Sequence, residues 1–181
     1  MRSEQLTDSG QDAFFCLHYA VKGTLFDILL VKETTGGIYT GERGRIDGNC
    51  AAACAVKAVS AAEAACGKCC GSGSEEAYDT EKYSWYQIER VMRIAYTYAN
   101  KRKKKLCVVD KADILESSRL WRETAEEVSK EFPQITTDFL LIENAVKQLI
   151  IDPAQFDVIV TSNMFGDILA GELSALTGND L

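Results

Sequence analysis

The chain has 181 residues, 46% of them hydrophobic and 26% charged, which is one domain's worth of near-average globular composition and excludes a collagen, a disordered tail or a small disulfide-stapled scaffold. Lys plus Arg number 20 and Asp plus Glu 27, so the net charge is −7, and an acidic chain repels phosphate backbones, so no nucleic-acid partner is expected. No stretch reaches the roughly 18 apolar residues that span a bilayer, and the opening MRSEQLTDSGQDAFF lacks the apolar core of a secretory signal; no membrane partner is expected and the cytoplasm is the default compartment.

Residues 1–16 read as a disordered start. FDILLV (26–31) is a short apolar run, the mark of a strand covered on both faces. It leads into KETTGGIYTGERGR, where Gly36, Gly37 and Gly41 punctuate a loop or hairpin. Residues 47–74 form an Ala/Cys/Gly-rich insert ending in GSGS, a flexible-linker composition. Cys50, Cys54, Cys66, Cys69 and Cys70 crowd into it. An odd number of cysteines without a secretory signal speaks against a disulfide framework. Four thiolates could hold zinc, but the Ala-rich surroundings carry no His and no turn residues near Cys50 or Cys54, so a surface excursion without metal is the expectation and a metal or redox module the alternative.

Ser84 is placed to cap a helix whose apolar positions recur at Trp85, Ile88, Val91, Met92, Ala95 and Ala99. The basic run Lys101–Lys105 reads as that helix's solvated last turn, complementing the dipole. LCVVD (106–110) is a buried strand, and Asp113 is placed to cap the helix over 116–131, which Pro133 stops. TDFLLIE (137–143), a short helix over 144–151, FDVIVT (156–161) and a helix over 162–176 come next. Alternation of apolar strands and helices predicts an α/β fold with a mostly parallel sheet flanked by helices.

Ligands in such sheets gather at the carboxyl ends of the strands. The polar residues there are Lys32, Glu33 and Tyr39; Asp110, Lys111 and Asp113; Glu143 and Asn144; and Thr161, Asn163 and Asp167. A lysine at a buried strand–helix corner can lose solvation and have its pKa lowered, which suits a general base. Carboxylates from separate strand ends can share a hard divalent cation.

VDKADILESSRLWRETAEEVSKEFP, FDVIVTSNMFGDILAGELSALTG and EAYDTEKYSWYQIERVMRIAY resemble segments of the β-decarboxylating dehydrogenases, the isocitrate/isopropylmalate dehydrogenase family. KETTGGIYTG resembles the TGGIY loop of the isopropylmalate branch rather than the NTEG-type loop of the isocitrate and tartrate branches, which disfavours an isocitrate-type enzyme. The resemblance runs from about Leu17 to Gly178, apart from the insert. It implies oxidation of a small 2-hydroxy acid by NAD, followed by loss of CO₂, with Mg²⁺ or Mn²⁺ as the second cofactor. It implies Lys111 and Tyr39 as catalytic residues, Lys32 as substrate-binding, and Asp167 and Glu143 as metal-binding. It assigns no residue to NAD. It also implies a homodimer with a shared active site, to which apolar helix positions Leu120, Val128, Ile168, Leu169 and Leu173 would contribute.

Three positions depart from the family pattern. Lys32 stands for an arginine, a point charge in place of a bidentate fork. Glu143 stands for an aspartate, and Gly171 replaces a second metal-binding aspartate. On this reading residues 17–181 are a partial domain, truncated at both ends, interrupted by the insert at 47–74. The competing expectation is a catalytically inactive fragment that only folds and dimerises.

Overall fold

The computed structural model describes residues 14–20, 27–46 and 76–178. The segment at 1–13 and the insert with its five cysteines lie outside the described residues. The chain divides into two compact units, Met1–Thr40 with Glu81–Leu181, and Gly41–Thr80.

The larger unit holds a five-stranded sheet in the order β1-β2-β7-β5-β6. Its strands are β1 (Phe14–Ala20), β2 (Asp27–Glu33), β5 (Lys105–Asp110), β6 (Thr136–Leu141) and β7 (Val158–Thr161). β1 runs antiparallel to β2, and the other neighbours pair in parallel. In the smaller unit β3 (Arg43–Ile46) pairs antiparallel with β4 (Glu76–Asp79), Arg43 opposite Asp79. The helices are α1 (Trp85–Lys101), α2 (Glu116–Ser129), α3 (Ile142–Ile151) and α4 (Asn163–Thr177). Among the described residues no helix is long and apolar enough to cross a membrane.

The α/β fold with a mostly parallel, helix-flanked sheet is therefore as the apolar runs predict. Alternation within each strand explains the two-sided core. Leu29 and Val31 of β2, with Leu106 and Val108 of β5, join Ile88, Val91, Met92 and Ala95 of α1 and Trp121, Ala125 and Val128 of α2. Ile28 and Leu30, with Cys107 and Val109, face the other way onto Ala145 and Leu149 of α3 and Leu169 and Leu173 of α4. Burying both faces is what lets these strands be continuously apolar.

Helix α1 starts where its sequence signals it. Ser84 accepts from the Gln87 backbone N–H (3.3 Å), and the Gln87 side chain accepts from the Ser84 backbone N–H (2.9 Å), a reciprocal capping box. Four expectations are corrected. Strand β1 begins at Phe14, inside the segment read as a disordered start. Asp113 does not cap α2; the cap position is Leu115, and the Asp113 carboxylate accepts from Lys111 instead. The basic run is not wholly solvated. Arg102 donates to the buried carboxylate of Asp157 (2.7 Å) and to Asp27 (2.8 Å), tying the end of α1 to the starts of β7 and β2. Val128, Leu169 and Leu173 lie in this chain's own core, so these three side chains are not available to a second copy.

Candidate active site

Strands β2, β7, β5 and β6 are mutually parallel, so their carboxyl ends share one edge of the sheet. Two lysine–carboxylate clusters form along it. Lys32, near the end of β2, donates Nζ to Asp167 Oδ1, just past the first turn of α4. Gly166 makes this approach possible: a Cβ there would come 2.6 Å from the Lys32 Cβ. Tyr39, on the loop after β2, feels the charge of the Asp167 carboxylate. Partial burial first, and the Asp167 carboxylate second, hold the Tyr39 phenol above its ordinary pKa.

The second cluster joins β5 and β6. Lys111 comes directly after β5, and its Nζ donates to Glu143 Oε1 and to Asp113 Oδ2 (3.1 Å). Its backbone is held from two sides. The Lys111 N–H donates to Ser118 Oγ (3.0 Å), and the next N–H, of Ala112, donates to Asp110 Oδ1 (3.0 Å). Asp110 is buried and gripped by Arg122 through two N–H donors, at 2.7 and 3.1 Å. The turn carrying Lys111 is thus built on a fixed ion pair.

The electrostatics of Lys111 reverse the expectation of a lowered pKa. The Glu143 hydrogen bond first, and Asp113 second, raise its pKa above the ordinary lysine value. The corner is open enough to water that desolvation is the weaker effect. Glu143 is correspondingly held below the ordinary carboxylate range, chiefly by the Lys111 hydrogen bond. A depressed carboxylate contributes its favourable charge above the unfolded pKa and loses it as the pH falls through the folded one. We expect Lys111→Ala to raise the Glu143 titration toward the ordinary carboxylate range, read by carbon-13 NMR of the side-chain carboxyl; an unchanged midpoint would show that the pair does not persist in solution.

The loop carrying Tyr39 rests on Glu33, one of the strand-end polar residues, and on Arg90, which the residue pattern does not mark. Glu33 is fully buried and accepts from the Thr35 N–H (3.0 and 3.1 Å), the Gly36 N–H (2.9 Å) and Arg90 of α1 (2.9 Å). Arg90 reads in the sequence as one more polar position on an amphipathic helix. Tyr83, just before α1, fills the space beside Gly36 and Gly37. The paired glycines were the available signal that some bulky group approaches there.

Among the described residues no three His, Cys, Asp or Glu side chains gather as a metal site. Asp167 and Glu143 are each engaged by an ammonium, and a Cβ at Gly171 would meet nothing within 4 Å.

The sequence profile of the isocitrate/isopropylmalate dehydrogenase family matches residues 12–179. A 3-isopropylmalate dehydrogenase from Clostridium acetobutylicum is 48% identical over 153 residues, 84% of this chain and 36% of the relative. One from Vibrio vulnificus is 42% identical over 171 residues, 94% of this chain and 41% of the relative. The chain therefore spans well under half the length of these relatives. Among solved structures, isocitrate dehydrogenase from Methylococcus capsulatus superposes with a TM-score of 0.69 at 28% identity, covering 89% of this chain and 42% of that one.

Proposed function

Because the chain belongs to the isocitrate/isopropylmalate dehydrogenase family, we propose that it contributes the proton-handling edge of an NAD-dependent oxidative decarboxylation of 3-isopropylmalate, in cytoplasmic leucine biosynthesis. The observation that carries this reading is the row formed by Lys32, Tyr39 with Asp167, and Lys111 with Glu143, drawn from neighbouring parallel strand ends. It falls in a segment 48% identical to an enzyme of that name.

In such a reaction NAD would supply a hydride acceptor and Mg²⁺ or Mn²⁺ a Lewis acid. The described residues of one chain do not fit either group by themselves. Both candidate carboxylates hold lysines, Gly171 offers no ligand, and the Gly36-Gly37 turn is filled by Tyr83 rather than open to a phosphate. Proton handling falls to the protein's own groups.

Lys111 is an ammonium in this arrangement, because its pKa is raised by two carboxylates. It is a hydrogen-bond donor to the substrate hydroxyl oxygen, favouring the charge that develops there. To take up the hydroxyl proton it must first release one of its own to solvent, which becomes easier when Glu143 and Asp113 turn to another cation. Tyr39, with a raised pKa, keeps its proton at neutral pH. That suits it to deliver the proton to the carbon from which CO₂ leaves. Lys32 offers a substrate carboxylate a single point charge.

A homodimer belongs to the same reading, with Lys111 and Glu143 from one copy facing Tyr39, Lys32 and Asp167 of the other. Support comes from apolar side chains on α3 and α4 left in solvent: Ile150 is 58% exposed, Ile151 64% and Ile168 48%. We expect sedimentation at micromolar concentration to give the dimer mass; a monomer with native-like circular dichroism would rule the shared site out.

A second reading is a catalytically inactive chain that folds and dimerises. Gly171 and the Lys32–Asp167 pair favour it. The assay that separates the two is NADH formation from 3-isopropylmalate with Mg²⁺ or Mn²⁺. Turnover by the purified chain supports the dehydrogenase reading, and a dimer without turnover supports the second.

A further inference from the structure

We propose that Tyr83 is a positioning residue, a strut that sets the loop carrying Tyr39 against the first turn of the helix carrying Asp167. The inference rests on the reading that Tyr39 and Asp167 act together, and it adds how their separation is maintained.

Three observations meet at this side chain and a fourth at the residue before it. The Asn163 backbone N–H, at the start of α4, donates to the Tyr83 hydroxyl oxygen (3.0 Å). That N–H is one of the first-turn donors a helix leaves without an internal partner, and it is buried. On the other side the same ring packs on the glycines of the loop. A Cβ at Gly36 would come 2.5 Å from Tyr83 Cδ1, and one at Gly37 would collide with the hydroxyl. Gly37 also has φ +81°, in the left-handed region that favours glycine. The ring itself cannot retreat, because it sits edge-on against Trp121 with centroids 5.6 Å apart. Finally, the Gly37 N–H donates to the carbonyl of Lys82, the residue before Tyr83 (2.9 Å).

The loop is therefore fastened on both sides of one phenol. Asn163 adds a direct tie, its Nδ2 donating to the Thr34 carbonyl (3.3 Å). Gln87 of α1 holds Thr35 from the opposite side (3.2 Å). Tyr83 contacts both the turn glycines and the backbone of α4, so it sets the loop–helix spacing. Tyr83 touches no reacting atom; it acts through Tyr39 and Asp167.

The test is Tyr83→Phe in the full chain, which keeps the ring and removes the acceptor. Amide hydrogen exchange at Gly36–Tyr39 and at Asn163 should accelerate together, about tenfold or more. The ring signals of carbon-13-labelled Tyr39 should shift, while exchange at Leu106–Asp110 stays unchanged. Should Tyr83→Phe fail to fold, Asn163→Ala and Asn163→Pro give the same answer from the other end. Both lose the Nδ2 tie, but only proline loses the N–H. Proline suits the first helical position, and Ser162 already has the extended φ −67°, ψ 169° that a proline after it requires. Loop exchange should be faster in the proline variant than in the alanine variant. Acceleration at Asn163 alone, with the loop and Tyr39 unmoved, would overturn the proposal. So would acceleration spread evenly into Leu106–Asp110, which would make Tyr83 a core residue and nothing more. None of these readouts uses turnover, so the dehydrogenase reading can fail in the NADH assay while this one stands, and the reverse.

Discussion

Glu33→Ala is expected to lower the unfolding free energy by about 3–5 kcal/mol, the cost of removing one partner from a buried ion pair. The carboxylate is fully buried at the end of β2. Its loss strands two backbone N–H donors, the Thr35 hydroxyl and the Arg90 guanidinium. Arg90 is the less buried partner, with a side chain 28% exposed, so Arg90→Ala should cost less. The double variant should recover part of the loss, because it leaves no charge without its partner. Urea denaturation of the four proteins measures this. A loss under about 1 kcal/mol for Glu33→Ala, the range of exposed pairs, would mean that water reaches the carboxylate and that the loop is not anchored there. The effect carries to the site because the anchored residues, Thr35 and Gly36, begin the loop that presents Tyr39.

Lys111→Ala should reduce NADH formation by roughly 10²–10⁴-fold, the usual share of a positioned proton-transfer group. Lys111→Arg separates its two duties. Arginine keeps the positive charge but does not give up its proton at accessible pH. If the ammonium acts mainly as a donor to the developing oxygen charge, arginine should recover much of the rate. If it must accept the hydroxyl proton, arginine should be as slow as alanine. The pair with Glu143 lies at the surface, so the urea midpoint of Lys111→Ala should barely move. A rate unaffected by Lys111→Ala would remove the β5 end from the reaction altogether.

Local patterns in the chain reached further for elements than for charges. Helix α1 was legible, because Ser84 offers a cap and the apolar stripe has a period fixed by helix geometry. The strands β2, β5 and β7 were legible as unbroken apolar runs, a pattern that burial on both faces demands. β1 was not, because FFCLHYA mixes buried and half-exposed positions along the edge of the sheet. The pairing of β3 with β4 was not, because its partners are short, polar and separated by the insert.

The polar residues at the strand ends show where legibility stops. That Lys32, Tyr39, Lys111, Glu143 and Asp167 would lie at one edge comes from strand direction alone, which a sequence of alternating elements determines. Which of them meet does not. Lys32 bonds to a carboxylate 135 positions away, and Glu33 to an arginine 57 away. The same holds for the direction of the Lys111 pKa. A corner lysine with a desolvated ammonium and one with two carboxylates at hand look alike in sequence, and only the placement of Asp113 and Glu143 makes the second true. Likewise a stripe of Leu169 and Leu173 is apolar whether it faces its own sheet or another copy; here it is buried in the chain's own core. The sequence by itself determined the α/β alternation, the capped and periodic helices and the edge where polar groups collect, because those depend on dihedral preference and periodicity over a few residues. The tertiary structure decided the ion pairs, the Glu33 and Tyr83 anchors of the loop and the direction of the Lys111 pKa shift, because those depend on distances between groups that the chain order does not fix.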